Sequence, residues 1–260
     1  MGSGEGSFPV SAVCGGVAGA VARTVVAPLD RAKILMQTGR RPVDQLPRLL
    51  RTLVREEGAA QLWRGHGTNL VRIVPYSAVQ LAVYDQVRLP GFGGRVLAGA
   101  FAGAAATAVT HPLDVVRLRL CAEPHWSGPR DVVRGLYRQG GARALYRGFV
   151  PSLVSLCPFL GVNFAVYDTL KQVLPAGNSW WRLGAGCASA LVAQSVCYPL
   201  DTVRRRLQLG GGGSARSAAA AILKTEGPRG FYLGSAANAA KIVPTTAVRF
   251  VVYDYLKSRA

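Results

Sequence analysis

Three stretches with one shared pattern decide the fold: Pro28-Leu-Asp30-Arg-Ala-Lys33, Pro112-Leu-Asp114-Val-Val-Arg117 and Pro199-Leu-Asp201-Thr-Val-Arg204. Each is a proline followed at fixed spacing by an acid and a base. The first two prolines are 84 residues apart and the second two are 87 residues apart. A regular period of this length indicates copies of one structural unit. We therefore predict three repeats, which cover residues 7–90, 91–175 and 176–260.

Two further motifs recur in phase with the first. One closes each repeat with an aromatic residue, an acid and a base: Tyr84-Asp85-Gln-Val-Arg88, Tyr167-Asp168-Thr-Leu-Lys171 and Tyr253-Asp254-Tyr-Leu-Lys257. The other lies in the middle of each repeat: Glu57-Gly58…Trp63-Arg64-Gly65, Gly140-Gly141…Tyr146-Arg147-Gly148 and Glu226-Gly227…Tyr232-Leu233-Gly234. Together the three motifs resemble those of the mitochondrial carrier family, from about Ser7 to Lys257.

The resemblance implies an all-α membrane protein with six transmembrane helices in three pseudo-symmetric repeats. Six segments are long and apolar enough to span a bilayer, at about 8–37, 67–88, 93–121, 149–172, 180–208 and 235–257. Between them, residues 43–56, 129–138 and 214–225 have the amphipathic spacing of short helices that lie at a membrane surface. The prolines of the first motif fall inside the odd-numbered long helices, where a kink is expected.

Composition points to a membrane protein that handles anions. Half of the residues are apolar, yet the formal net charge is +18. The basic residues are dispersed among apolar segments and do not form one stripe, so nucleic acid is not expected as a partner. Part of the charge is expected to favour anionic lipid headgroups, cardiolipin among them. We expect a monomer.

No catalytic or metal site is expected. The five cysteines include no C-x-x-C pair, and the three histidines are scattered along the chain. We therefore predict a transporter with no cofactor, rather than a membrane enzyme or a structural membrane protein. The first eight residues are too short and too poor in arginine for a transit peptide, so targeting information is expected to be internal or missing from the sequence.

Threefold symmetry predicts a ring of charges that closes one end of a central cavity. In this matrix-side gate, Asp30, Asp114 and Asp201 are expected to pair with Arg117, Arg204 and Lys33 of the neighbouring repeat. An ion pair in a watery cavity contributes little net energy, so it can break when substrate binds. By the same resemblance, Gln37 and Gln208 brace this ring, and repeat two has Cys121 in their place.

A second gate is expected at the opposite end, formed by the motif that closes each repeat. It pairs Asp85 with Lys171, Asp168 with Lys257, and Asp254 with Arg88. Tyr84, Tyr167 and Tyr253 are expected to brace these pairs through their hydroxyls.

Positions that differ among the repeats are expected to contact an asymmetric substrate. Thirteen residues before each acid of the second gate stand Arg72, Ser155 and Lys241, where the family places its substrate contacts. Arg23 matches a basic residue of the nucleotide carriers. Bases at membrane depth without acidic partners mark a substrate path, so Arg23, Arg72 and Lys241 are predicted to bind phosphates.

The second contact position is neutral. Ser155 and Leu156 are predicted to form a slot for a nucleotide base, with Phe159 stacking on it and Asn163 bonding its edge. Carboxylate carriers place an arginine at this position and amino-acid carriers an Arg-Asp pair, so those substrates are not expected.

The predicted function is exchange of adenine nucleotides, ADP/ATP or a related phosphorylated nucleotide, by alternating access. The runs at 113–124 and 197–208 most resemble plant plastid carriers of this class, so the membrane is expected to be the mitochondrial inner membrane or a plastid thylakoid or envelope membrane. The alternatives are a coenzyme A or thiamine pyrophosphate carrier and an ATP-Mg/phosphate exchanger. No calcium-binding extension precedes the first helix, which makes a calcium-regulated carrier less expected.

Overall fold

The structure, a computed structural model, describes residues 7–39, 45–87, 90–173, 179–210 and 213–258. Within its helices, side chains at 7–13, 91–92, 95–96, 157, 179–183 and 257 lie outside the described set. The α-helices of the described residues, in chain order, are α1 (Ser7–Gln37), α2 (Leu46–Glu57), α3 (His66–Gln86), α4 (Gly91–Ala122), α5 (Pro129–Leu145), α6 (Phe149–Val173), α7 (Ser179–Gln208), α8 (Ala215–Glu226) and α9 (Ser235–Lys257).

The long helices form a closed ring. Helix α1 packs most extensively on α9, α3 on α4, and α6 on α7, while the two long helices of each repeat also touch. The first and last repeats therefore meet in the same way as neighbours along the chain. Each long helix contains a proline, at Pro28, Pro112 and Pro199 as expected, and also at Pro75, Pro158 and Pro244.

The helix bounds follow the sequence pattern with two differences. Helix α3 ends at Gln86, short of the expected end at residue 88, which lies outside the described residues. The segment Pro129–Leu145 consists of two helical pieces separated by a break at Gly140 and at Gly141, which has φ +61°, so the first piece ends close to the expected residue 138 and a second, short piece follows it. That pair of glycines explains why the apolar periodicity of this segment stops early, because a residue at positive φ interrupts the helix.

The hydrophobic core lies at one end of the ring. Leu35 and Met36 of α1 pack on Leu49 and Leu53 of α2, and each of the other surface helices packs on its own odd long helix in the same way. A fourth cluster joins the ends of the three odd long helices, through Ile34, Leu118, Cys121, Ala122 and Leu209. The ends of α1, α4 and α7 are thus held together by apolar burial.

The outer faces of the ring are apolar and exposed. Val17, Val21 and Val25 recur at four-residue spacing on α1 and are 38 to 54% exposed. Val243 and Val251, eight residues apart on α9, are 62% and 66% exposed. A continuous apolar surface of this kind indicates contact with another apolar phase.

By length and apolar composition alone, one helix of the described chain is suited to cross a membrane. It is α6, with a mean hydropathy of 1.8 in its most apolar window. Helix α1 is as long but carries Arg23, Asp30, Arg31 and Lys33, and such charges lower the mean hydropathy of a helix that lines a polar cavity. The count of six spans stays a prediction.

Three glycines set how each even long helix begins. Gly65, Gly148 and Gly234 have φ of +76°, +74° and +80° and precede α3, α6 and α9. A Cβ atom at each would lie 3.0 to 3.2 Å from the main-chain oxygen of a gate base in the neighbouring odd helix: Arg117, Arg204 and Lys33 in turn. The glycine that ends the mid-repeat motif therefore brings the start of each even long helix close to the main chain of Arg117, Arg204 or Lys33.

Candidate functional site

The three ion pairs expected at the core end of the ring are present. Nη2 of Arg204 lies 2.8 Å from Oδ2 of Asp114, and the other two pairs are Lys33–Asp201 at 3.1 Å and Arg117–Asp30 at 3.2 Å. Each joins two different repeats, as threefold symmetry requires. Asp114 is 3% exposed, so this carboxylate is shielded from water and its attraction to the arginines is strengthened.

The surroundings of the three pairs are not equivalent. The amide nitrogen of Gln37 donates to Asp201, at 3.3 Å, and to Thr202, at 3.2 Å, which places it as expected of a brace. Gln208 does not do the same, because its carbonyl oxygen accepts from Arg205 and its amide nitrogen is buried with no partner. Arg205 contacts both Gln208 and Asp114, and the role of Gln208 as a brace of the ring stays a prediction.

Two polar residues of this ring were not foreseen. Asn69, at the start of α3, accepts a 2.8 Å hydrogen bond from Arg117. Arg205 lies 3.7 Å from Asp114, at a position where the other two repeats have Ile34 and Leu118 of the apolar cluster. The sequence held a signal for Arg205, since it is a base at a position where the repeats differ.

The opposite end of the ring is more open. Asp85, Lys171 and Asp254 are exposed, while Asp168 and the three tyrosines range from half-buried to exposed. No ion pair involves Asp168, Lys171 or Asp254 within the described residues. Arg88 and the side chain of Lys257 lie outside the described set, so the pairs expected with Asp254 and Asp168 fall there too. The three ion pairs of the first ring are therefore formed, whereas among the described residues Asp85 and Lys171 do not pair with each other.

A cavity of about 550 Å³ lies between the two ends. It is lined by most of the predicted substrate residues: Arg23, Arg72, Ser155, Leu156, Phe159 and Lys241. Asn163 is not among its lining residues, and the side-chain oxygen of Asn163 is buried without a partner. The charged lining residues are six bases and two acids. An excess of positive charge in a partly enclosed space attracts anions.

Two of the predicted substrate cations have acidic partners, contrary to expectation. Nζ of Lys241 lies 2.8 Å from Oδ1 of Asp30, and Nη1 of Arg72 lies 3.8 Å from Oδ1 of Asp114. Arg72 also lies over the ring of Tyr76, 5.7 Å from its centroid. The expectation of unpaired bases fails because the long side chains of Arg72 and Lys241 reach Asp114 and Asp30. Threefold symmetry had paired these two acids only with Arg204 and Arg117. Arg23 makes no ion pair or hydrogen bond with the described residues.

The neutral wall of the cavity lies on α6. The hydroxyl of Ser155 donates to the main-chain oxygen of Ser152 at 3.0 Å, so its hydrogen-bonding capacity is partly used within the helix. Leu156 packs against Gly103 of α4, where a Cβ atom would be 3.3 Å from Leu156. This close approach leaves the slot narrow and apolar, with Phe159 one turn further along.

The acids of the mid-repeat motif make contacts that the sequence did not reveal. Glu57 pairs with Arg31 at 2.5 Å, and Glu226 pairs with Arg206 at 2.5 Å. Repeat two has Gly140 at this place. There, Arg119 pairs with Glu123 of its own helix at 3.2 Å. The Glu57 and Glu226 pairs tie the surface helices α2 and α8 to α1 and α7, whereas the Arg119–Glu123 pair lies within the end of α4.

The described residues contain no group of three or more histidine, cysteine, aspartate or glutamate side chains that is arranged to hold a metal ion. The four cysteines with described side chains are free thiols: Cys14, Cys121 and Cys197 are buried, and Cys187 is half-buried. Packing accounts for the buried ones.

The sequence is similar to known carriers over almost its whole length. It is 38% identical over 264 residues to the thylakoid ADP,ATP carrier protein of Arabidopsis thaliana, covering 94% of this chain and 64% of that protein. It is 37% identical to the mitochondrial coenzyme A transporter of Xenopus tropicalis, covering 94% and 83%. It is 33% identical to a mitochondrial adenyl nucleotide antiporter of Danio rerio, covering 94% and 57%.

The chain thus spans less than two thirds of the length of the thylakoid carrier. A match to the family described as mitochondrial carrier protein falls in three successive stretches, at 4–89, 90–178 and 175–260. With the threefold motifs and the closed helical ring, these matches lead to one conclusion: the chain belongs to the mitochondrial carrier protein family.

Proposed function

We propose that this protein exchanges adenine nucleotides, or a closely related phosphorylated nucleotide, across an organelle membrane by alternating access. The observation that carries the proposal is the charge of the cavity, which six bases and two acids line. Its walls bring Arg72 and Lys241 from different repeats to one space. Di- and triphosphates carry several negative charges, which matches this excess.

The geometry gives binding a way to act on the gate. Arg72 and Lys241 form ion pairs with Asp114 and Asp30. Phosphate oxygens compete with these carboxylates for the same cations, because both are anionic acceptors. Substrate binding then leaves each acid with one partner fewer. If the ion pairs of the gate are weakened only by bound substrate, the gate opens only when substrate is bound. Exchange of one substrate for another requires this coupling.

The neutral wall is proposed to accept the base of the nucleotide. Ser155 and Leu156 bound a narrow apolar slot, and Phe159 offers an aromatic face beside it. Stacking on such a face adds to apolar burial. Asn163 keeps its proposed role at the base edge only if its buried side-chain oxygen turns toward the cavity.

The membrane arrangement is part of the proposal. The long helices have 21 to 32 residues, enough at about 1.5 Å per residue to cross a hydrocarbon core. Their exposed apolar faces suit lipid contact, and the surface helices suit the interface. We propose six spans, a monomer, bound anionic lipid such as cardiolipin, and a mitochondrial inner membrane or plastid membrane as its location.

Coenzyme A is the second candidate substrate. A relative at 37% identity is named as a mitochondrial coenzyme A transporter, and two maize relatives at 37% and 34% identity are named as CoAc carriers. Coenzyme A contains an adenine nucleotide with a diphosphate, so the same cations and the same slot serve it.

The test is exchange in liposomes with a panel of internal anions: ADP, ATP, phosphosulfate nucleotide, coenzyme A, thiamine pyrophosphate, phosphate and malate. We expect nucleotide uptake that needs an internal nucleotide. Arg72→Ala and Lys241→Ala should each lower it by roughly tenfold or more, since a charge-assisted phosphate contact is worth on the order of 1.5–3 kcal/mol. Arg216→Ala, an exposed base on the surface helix α8, is the matched control. Exchange of malate alone, or normal nucleotide exchange by Arg72→Ala, would overturn the proposal.

A further inference from the structure

The residue that follows the proline of each even long helix is aromatic in two repeats and polar in the third. These residues are Tyr76 in α3, Phe159 in α6 and Thr245 in α9. They are equivalent under the threefold symmetry, because each lies four residues after one of the predicted substrate contacts. A symmetric gate does not require two aromatic rings and one hydroxyl at equivalent positions, so the difference between them needs another explanation.

Tyr76 and Phe159 bound one space from two sides. Both side chains are half-buried and line the central cavity. Their helices, α3 and α6, both pack on α4, which lies between them. The two rings do not contact each other among the ring pairs of the described residues, so they line this space without filling it. In α9 the equivalent residue, Thr245, offers no ring, and its hydroxyl donates to the main-chain oxygen of Lys241 at 2.6 Å.

A buried glycine of α4 forms the floor of this space. A Cβ atom at Gly103 would lie 3.3 Å from Cδ2 of Leu156 and 4.0 Å from the hydroxyl oxygen of Tyr76. Side chains from α3 and α6 thus converge on one point of α4. At Gly19, the equivalent position of repeat one, a Cβ atom would meet nothing within 4 Å. The slot that was described above on α6 is therefore bounded on its other side by Tyr76.

Tyr76 is also linked to a proposed phosphate contact. Cζ of Arg72 lies 5.7 Å from the centroid of the Tyr76 ring, and a cation over an aromatic face is attracted to it. Arg72 covers one face of the ring, which leaves the other face for a planar ligand. One turn of α3 thus presents a cation and an aromatic ring side by side. A nucleotide has the matching parts, a phosphate chain and a base, on the two sides of its ribose.

We propose that Tyr76 and Phe159 form an aromatic clamp, which holds the nucleotide base between two rings over Gly103 and selects purine over pyrimidine nucleotides. It rests on the nucleotide exchange proposed above, which gave the base a wall on α6 alone. A base between two rings gains stacking on both of its faces. The fused rings of a purine have a larger face than the single ring of a pyrimidine, so the clamp favours the purine.

The experiment compares ADP with UDP on the purified full-length chain in detergent. The two ligands carry the same ribose and the same diphosphate, so the contacts of Arg72 and Lys241 contribute equally to both. Affinity is measured from the ligand dependence of the melting temperature. We expect the wild type to bind ADP about tenfold more tightly than UDP.

The variants remove one ring of the clamp at a time. Tyr76→Thr, which copies the residue of repeat three, should lower the ratio to about threefold, because Phe159 alone then stacks on the base. Tyr76→Phe should keep the ratio, because the ring remains. Phe159→Thr tests the clamp from the other helix and serves if Tyr76→Thr does not fold. Tyr137→Thr removes an exposed tyrosine on the surface helix α5 and is the matched control.

A wild type without preference for ADP would overturn the inference. So would a ratio that persists in Tyr76→Thr while ADP and UDP lose affinity equally, because the ring would then act only through Arg72. A ratio that falls as far in Tyr137→Thr would overturn it as well.

These outcomes are distinct from failure of the proposed function. If both nucleotides stabilise the protein and the ratio does not respond to Tyr76→Thr or Phe159→Thr, only the clamp is wrong. If neither nucleotide stabilises the protein, the nucleotide site itself is wrong, and the clamp with it.

Discussion

Nζ of Lys241 lies 2.8 Å from Oδ1 of Asp30, so a cation of the proposed substrate site is bonded to an acid of the proposed gate. The other oxygen of the same carboxylate accepts from Arg117 at 3.2 Å. Asp30 therefore serves two cations from two repeats. An anion that binds Lys241 in place of Asp30 therefore changes the ion pairing of Asp30 directly, without an intervening chain of residues.

The first prediction concerns that competition. Asp30→Asn should raise nucleotide affinity up to about fivefold, because Lys241 no longer has to leave a carboxylate and a partly exposed pair is worth at most about 1 kcal/mol. Exchange should fall in the same variant, since Arg117 loses its gate partner. Affinity is measured by nucleotide-dependent melting in detergent, and exchange is measured in liposomes.

Asp201→Asn is the matched control for Asp30→Asn. It also removes one negative charge from the ring, but its partner Lys33 is not one of the proposed phosphate contacts. An equal gain of affinity in both variants would mean that the gain comes from overall charge. The link between Lys241 and Asp30 would then have no part in it.

The second prediction concerns the packing of the repeats. Gly148→Ala should destabilise the protein by more than about 1 kcal/mol, because Gly148 has φ +74° and a Cβ atom there would lie 2.8 Å from Cγ of Gln208. Gly161→Ala, in the same region of chain on α6, meets nothing within 4 Å and should be neutral or stabilising. Thermal unfolding in detergent separates the two, and equal melting temperatures would contradict the close approach.

The third prediction compares the two glutamines. Gln37→Ala removes two hydrogen bonds from a fully buried side chain, each worth about 1 kcal/mol. Gln208→Ala removes a weaker one, at 3.4 Å from Arg205, together with an amide nitrogen that is already without a partner. We expect the larger loss of melting temperature for Gln37→Ala. The reverse order would show that Gln208 supports the gate in a way that this conformation does not contain.

The features of the structure that the sequence predicts are mainly those that repeat with threefold symmetry. The helices and the three gate pairs follow from motifs in phase, because equivalent residues in three copies must meet in equivalent ways. The predicted end of the amphipathic helix near residue 138 agrees with the backbone break at Gly140 and Gly141, and the short helical piece after the break was not predicted. The six-span count rests on the resemblance. Charged residues on the cavity face of a helix lower its mean hydropathy, even where its outer face is apolar.

Contacts that break symmetry were not predictable in the same way. Lys241 and Arg72 reach gate acids because lysine and arginine are long enough to cross the cavity, and no spacing rule gives that reach. Arg205 takes the place of an apolar residue in one repeat only, and it lies near Asp114 and donates to the side chain of Gln208. Such contacts depend on which of several nearby cations pairs with a shared carboxylate. That choice follows from the three-dimensional arrangement of the side chains and not from their spacing in the sequence.

The last prediction tests a gate pair by exchanging its charges. The Asp201–Lys33 pair is the best choice, because among its described contacts Asp201 has one base, Lys33, and one neutral brace, Gln37. Asp114 is a poorer choice, since Arg72, Arg204 and Arg205 all lie within 4 Å of it and an introduced base would face three like charges.

Lys33→Asp and Asp201→Lys should each abolish most exchange in liposomes, because each places two like charges in a buried site. The double variant should regain a measurable part of it. Melting temperatures should show the same pattern, with the double variant above both single ones. If the double variant is no better than either single one, although all three proteins are folded and bind nucleotide, the two residues do not act as a pair and the gate must depend on the other contacts of the ring.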